Sequence, residues 1–207
     1  MSATTDTIFF GRDDLSDREI WNRLRNGHKD ALNYIFRRYV KMLYQYGYKF
    51  TADHKQIEDS IQEVFLTLWE KRDTLGETDR IKPYLFVIFR RKLIRALSSN
   101  NIIIDRNFEI QNYNFELTFS AEHHLIKGET EAVRKAKMAG YLSKLPKKKR
   151  EVLYLRYYCD LEYDEIASVM DISYQSARNL MYKALKTLKS HFTSALFPLL
   201  ITYFTFF

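Results

Sequence analysis

The sequence predicts an all-α protein of two helical domains joined by a flexible linker. Three observations carry that expectation. Glycine and proline, the strongest local breakers of regular structure, number only 6 and 3 in 207 residues. Apolar residues recur at helical spacing over most of the chain. The pattern breaks at Ser98-Ser99-Asn100-Asn101, and no convincing period returns before about Ser120.

Each element has its own warrant. In the N-terminal segment 1–29, Asp17 can cap a short helix that buries Ile20 and Leu24 and ends at Gly27. A first domain then spans 30–97. Asp30 can cap its next helix, where Leu32, Ile35, Phe36, Tyr39, Leu43 and Tyr46 keep one face. Asp53 can cap a third, with Ile57, Ile61, Val64, Phe65 and Leu68 inward. A fourth starts near Pro83, a residue suited to a first helical turn, and aligns Phe86, Phe89, Leu93 and Leu97. Such stripes can be buried only against one another, which makes a bundle.

Residues 98–119 read as a linker. Ile102, Ile103, Ile104, Phe108, Phe115 and Phe119 make it more apolar than a free tether, so it either docks in a groove of a partner or forms a strand. A second helical domain spans 120–193. Its first helix runs from Ser120 to Leu145, and Pro146 breaks the chain before Lys147-Lys148-Lys149-Arg150. Glu151 to Cys159 forms the next helix. A tail, 194–207, is apolar from Ala195 but too short to cross a bilayer as a helix.

The end of the second domain reads as a helix-turn-helix. Tyr163, Ile166, Ala167 and Met170 share one face, and Ala167 is small where two helices must cross. Asp171 tolerates a left-handed turn, Ile172 plugs it, and Ser173 caps the following helix. There Ala177, Leu180, Ala184, Leu185 and Leu188 form a stripe. The opposite face carries Tyr174, Gln175, Ser176, Arg178, Asn179, Tyr182 and Lys183, side chains suited to base edges and phosphates in a major groove. A solvated helical hairpin is the plainer alternative.

Composition agrees. The net charge is +7, which favours a polyanionic partner. The lone cysteine, Cys159, excludes an internal disulfide framework and lies in an apolar run, as a buried thiol would. The N-terminus, with Asp6, Arg12, Asp13 and Asp14, lacks the apolar core of a signal peptide, so the cytoplasm is the default compartment. An enzyme acting on nucleic acid fits poorly. None of the five histidines pairs at metal-ligand spacing, and no glycine-rich phosphate loop or nucleophile-base pair stands out. No cofactor, metal or small-molecule substrate is expected.

Two further faces suggest partners. Asp59, Gln62, Glu63, Leu66 and Trp69 run down one side of the third helix. An acidic strip with a large aromatic repels phosphates but suits a protein surface, unless it is merely a solvated face. On the fourth helix, Arg90, Arg91, Lys92 and Arg95 follow Tyr84-Leu85-Phe86. Cations interleaved with aromatics suit single-stranded nucleic acid, unless the rings are core and the arginines solvated.

Together these segments resemble a known family. Asp59 to Trp69 resembles the helix by which bacterial sigma factors grip core RNA polymerase. Tyr84 to Arg91 resembles the segment that reads the −10 promoter element. Leu145 to Val152, followed by Leu155-Arg156-Tyr157-Tyr158 and the helix-turn-helix, resembles the domain that reads the −35 element. The order is that of a sigma-70-family factor of the extracytoplasmic-function class, which keeps only domains 2 and 4. The resemblance covers roughly Asp30–Leu97 and Ser120–His191. Arg91 and Arg95 stand where the class often has Asn and Asp, Ala177 replaces a branched apolar residue, and Asp171 replaces Gly. The resemblance implies core RNA polymerase, promoter DNA and an anti-sigma factor as partners. It implies a −10 set of Tyr84, Arg90, Arg91, Lys92 and Arg95, and a linker that threads toward the RNA exit path. A conventional helix-turn-helix regulator is the alternative, though the acidic and arginine-rich helices suit it poorly.

Overall fold

The computed structural model describes residues 15–99, 113–117 and 140–191. These residues form α1 (Asp17–Arg25), α2 (Lys29–Gly47), α3 (His54–Glu70) and α4 (Ile81–Ser99). They continue in α5 (Lys147–Leu153), which runs on as a π-helix (Tyr154–Tyr158), then α6 (Tyr163–Met170) and α7 (Tyr174–His191). No strand occurs among the described residues.

Local signals set most boundaries. The Asp53 carboxylate caps α3 by accepting from Gln56 N at 3.1 Å. At α1 the cap is Ser16, one residue before the expected Asp17. Its hydroxyl accepts from Glu19 N, and the Glu19 carboxylate accepts from Ser16 N at 2.8 Å. Asp17 instead ties helices together, accepting from Ile81 N at 2.8 Å and facing Tyr39 Oη. Asp30 is likewise not a cap. His28 precedes α2 without a side-chain bond, and Asp30 pairs with Arg23 at 2.7 Å. Gly27, at φ 81°, ends α1: its N–H reaches Leu24 O and that of His28 reaches Arg23 O, which only a left-handed residue permits easily.

The first four helices bury most of the expected stripes. Leu32 and Leu97 are only partly buried, and Phe36 is 40% exposed and edge-on to Phe65 at the margin of α2. α4 is central. It packs on α1, α2, α3 and α6, and so buries Ile81, Leu85 and Ile94 besides Phe86, Phe89 and Leu93. Each such side chain contributes about 1.5–3 kcal/mol. Gly47 lets α2 approach this core, since a Cβ there would lie 2.8 Å from Ile57 and 2.9 Å from Phe89.

In the second unit α5 and α6 pack on α7. The expected helix from Glu151 to Cys159 begins earlier, at Lys147 after Pro146, and widens to a π-helix over its second half. Cys159 is buried. The described part of the linker, 113–117, is extended and docks on this chain itself. Glu116 N donates to Lys49 O at 2.7 Å, and Tyr113 and Phe115 are buried. Ile102, Ile103, Ile104, Phe108, Phe119, most of the helix expected from Ser120, and the apolar tail lie outside the described residues. Among the described residues no helix is long and apolar enough to cross a membrane.

Candidate polymerase and promoter interfaces

The helix-turn-helix forms by local chemistry. Glu162 and Glu165 make a reciprocal capping box at the start of α6. Asp171 takes the left-handed conformation at φ 55°, ψ 52°, and Ile172 N then donates back to Ala167 O at 3.0 Å. Ser173 caps α7 by accepting from Ser176 N at 3.1 Å. Ala177, Met181, Ala184 and Leu188 are buried, and Ala167 is 7% exposed at the crossing. Tyr174, Gln175, Ser176, Arg178, Asn179, Tyr182 and Lys183 are all exposed on the outer face of α7. Arg178 lies over the Tyr174 ring at 5.9 Å, and Gln175 Nε2 donates to Asn179 Oδ1 at 3.3 Å. These contacts order the side chains on a surface that carries two donor-rich cations and two amides.

On α3, Asp59, Gln62 and Glu63 are exposed, and Leu66 is 57% exposed among them. Trp69 is only half-buried and packs against the core, with the Arg72 guanidinium 4.7 Å over its ring. The strip is therefore a real surface, with Leu66 rather than Trp69 as its most open apolar group.

The basic set on α4 divides. Tyr84, Arg91 and Arg95 fall at i, i+7 and i+11 and so lie along one line of the helix. Arg91 and Arg95 are exposed. Tyr84 is half-buried, edge-on to Trp21 at 4.8 Å, and burial pushes its phenol up. Lys92 bridges to Glu63 of α3 at 3.3 Å. Arg90 is elsewhere. It is 2% exposed and forms a two-point ion pair with Glu151 of α5, at 2.7 Å from Nε and 3.3 Å from Nη2. The guanidinium points away from Arg91 because adjacent helical residues diverge, and the face it points from is covered by the second domain. Arg90 thus departs from the expected −10 surface in this arrangement.

Sequence comparison supplies the family. Residues 35–102 match Sigma-70 region 2, and residues 136–188 match Sigma-70, region 4. ECF RNA polymerase sigma factor SigM of Bacillus subtilis is 24% identical over 160 residues, 77% of this chain and 94% of that protein. ECF RNA polymerase sigma factor SigL of Mycobacterium tuberculosis is 23% identical over 160 residues, 75% of this chain and 85% of that protein. The chain belongs to the extracytoplasmic-function class of the sigma-70 family. It is an alternative sigma factor, a transcription initiation protein whose partners are core RNA polymerase and promoter DNA. The region 2 match, which a conventional helix-turn-helix regulator would lack, sets that alternative aside. The fold is similar to that of CnrH in its complex with the cytosolic domain of CnrY, with a TM-score of 0.55 at 19% identity over 84% of this chain and 95% of that one.

The sigma factor's structure also assembles residues that motif reading passed over. Glu151, Tyr46 and Tyr113 meet at Arg90, and Arg80 and Lys82 reach domain 4. A signal for Glu151 was present. It precedes Val152 and stands three and four residues before Tyr154 and Leu155, so a carboxylate sits on a buried stripe, where it demands a partner.

Proposed function

We propose that the α3 strip is the grip on core polymerase, made by Asp59, Gln62, Glu63, Leu66 and the edge of Trp69. The observation that carries this is Leu66, a large apolar side chain 57% exposed inside an acidic surface that DNA would avoid. Tyr84, Arg91, Lys92 and Arg95 face the melted −10 strand, cations tracking phosphates and the ring stacking on a base. Arg90 joins them only if domain 4 moves away. Tyr174, Gln175, Ser176, Arg178, Asn179, Tyr182 and Lys183 enter the −35 major groove. The protein acts by binding, not catalysis, in the cytoplasm where its polymerase works. An anti-sigma factor completes the partner set. The likeness to CnrH, solved with the cytosolic domain of a second protein, supports it.

The test is affinity for core polymerase. Glu63→Lys and Leu66→Ala should each weaken binding by about 2 kcal/mol while helicity and melting stay near wild type. Unchanged affinity in both variants would remove the α3 strip from the interface.

A further inference from the structure

The two promoter-reading domains are clasped together, and the clasp is built around one carboxylate. Glu151 is fully buried. Its Oε1 accepts from Tyr46 Oη at 2.6 Å and from Arg90 Nε at 2.7 Å. Its Oε2 accepts from Arg90 Nη2 and from Tyr113 Oη. Tyr46 and Arg90 belong to domain 2, Glu151 to domain 4, and Tyr113 to the linker, so three parts of the chain share one charge. Aromatic packing encloses it: Tyr46 stacks on Tyr154 at 5.9 Å, and Phe115 wedges against both. Tyr158 Oη donates to Gln45 at 3.0 Å beside it.

The rim of the contact is electrostatic. Arg80, in the loop before α4, pairs with Glu165 at 3.1 Å and Asp164 at 3.5 Å. Lys82 Nζ donates to Cys159 O at 2.9 Å. A cleft of about 360 Å³ between Tyr84, Pro83 and Arg80 on one side and Asp164, Glu165 and Ser168 on the other puts carboxylates beside Tyr84 of the proposed −10 set.

This arrangement cannot read a promoter. Elements centred at −10 and −35 lie about 25 base pairs apart, roughly 85 Å along the duplex. Here α4 and α6 touch. We propose that Glu151 is the hub of an intramolecular latch that holds the free factor closed, with Asp164 and Glu165 clasping Arg80 at its rim beside Tyr84. Core polymerase and promoter must break the latch to separate the domains. The proposal rests on the sigma reading only for what the latch prevents; the latch itself is a property of the free chain.

Full-length variants test it. Glu151→Gln removes the charge but keeps the shape, and Tyr113→Phe removes one donor from the hub. Arg80→Glu sets a third acid against Asp164 and Glu165 on the exposed rim. Small-angle scattering of the free proteins should show the radius of gyration rising by about 10% or more for Glu151→Gln, with helicity retained. Arg80→Glu should expand less, and adding Glu165→Lys should restore compactness, which mere destabilisation would not do. Association with core polymerase should quicken about tenfold in Glu151→Gln, because a closed population no longer competes. Folded variants as compact as wild type overturn the latch, as does expansion that Glu165→Lys fails to reverse. If Glu151→Gln loses helicity, Tyr113→Phe and the charge-swap pair decide by the same criteria. Expansion without any core binding, by wild type or variant, would leave the latch standing and count against the sigma reading.

Discussion

At the scale of single residues, the sequence is most legible where the chemistry is local. Asp53, Asp171 and Ser173 act on backbone groups within five residues of themselves, and each does what its type and position imply. Asp17 shows the limit. It is as good a cap as Ser16 by composition, but Ser16 has Glu19 three residues on to complete the reciprocal pair, which frees Asp17 to hold Ile81 N. Glu151 and Arg90 are 61 residues apart, and no local pattern could pair them. Burial is also not uniformly satisfied. Tyr154 Oη is buried with no hydrogen-bond partner among the described residues, while its ring stacks on Tyr158 at 4.7 Å. An unsatisfied buried hydroxyl is a net cost. Tyr154→Phe should therefore keep the stacking and raise stability by about 1 kcal/mol in urea unfolding. A loss of stability would mean that the hydroxyl has a partner in solution.

At the scale of elements, helix positions followed from periodicity because each helix buries one stripe. Phe36 and α4 depart for tertiary reasons. The first lies at the edge of its stripe, and the second is packed from several sides. The linker was ambiguous between strand and docked segment because β-branched and aromatic residues suit both. Glu116 N on Lys49 O and Phe115 at 0% exposure resolve its described part as docked. The recognition helix offers a test at this scale. Arg178 and Asn179 lie in its first two turns, and Lys183 a turn later, so readers should precede a phosphate contact. Arg178→Ala or Asn179→Ala should cost about 1–3 kcal/mol on the cognate −35 element and relax preference at one position. Lys183→Ala should weaken all sequences alike and make the salt dependence shallower by about one unit. Holoenzyme binding to a −35 substitution library at several salt concentrations separates the two. A uniform loss for Arg178→Ala would make it a positioning residue.

At the scale of the whole molecule, two domains and a linker share a core rich in phenols. Burial, and then Glu151, push the Tyr46 and Tyr113 hydroxyls well above their ordinary range, and burial does the same for Tyr154. Tyr39 is pushed up to about 12 by burial and then by Asp17. In each case the folded state holds the proton more tightly. Below pH about 10 both states are protonated and nothing changes; above it the unfolded chain binds fewer protons, so stability falls as pH rises. Each such phenol should remove about 1.4 kcal/mol per pH unit in that range. The last part of the tyrosinate absorbance should then appear only together with loss of helicity. Complete titration of every phenol in a protein that stays folded would contradict the burial of these four.

Polymerase binding and promoter reading fall to different domains, and transcription measures that division of labour directly. Run-off transcription from a pool of genomic fragments should be programmed in core polymerase with the wild-type factor, Glu63→Lys or Arg178→Ala. The wild type should yield a discrete set of transcripts. Glu63→Lys should lower all of them together and recover when the factor is in excess, because its defect is in binding polymerase. Arg178→Ala should keep its grip on polymerase yet shift output among promoters at any concentration. Identical profiles for the two variants, or no factor-dependent transcripts from the wild type, would contradict the assignment of polymerase binding to α3 and promoter reading to α7.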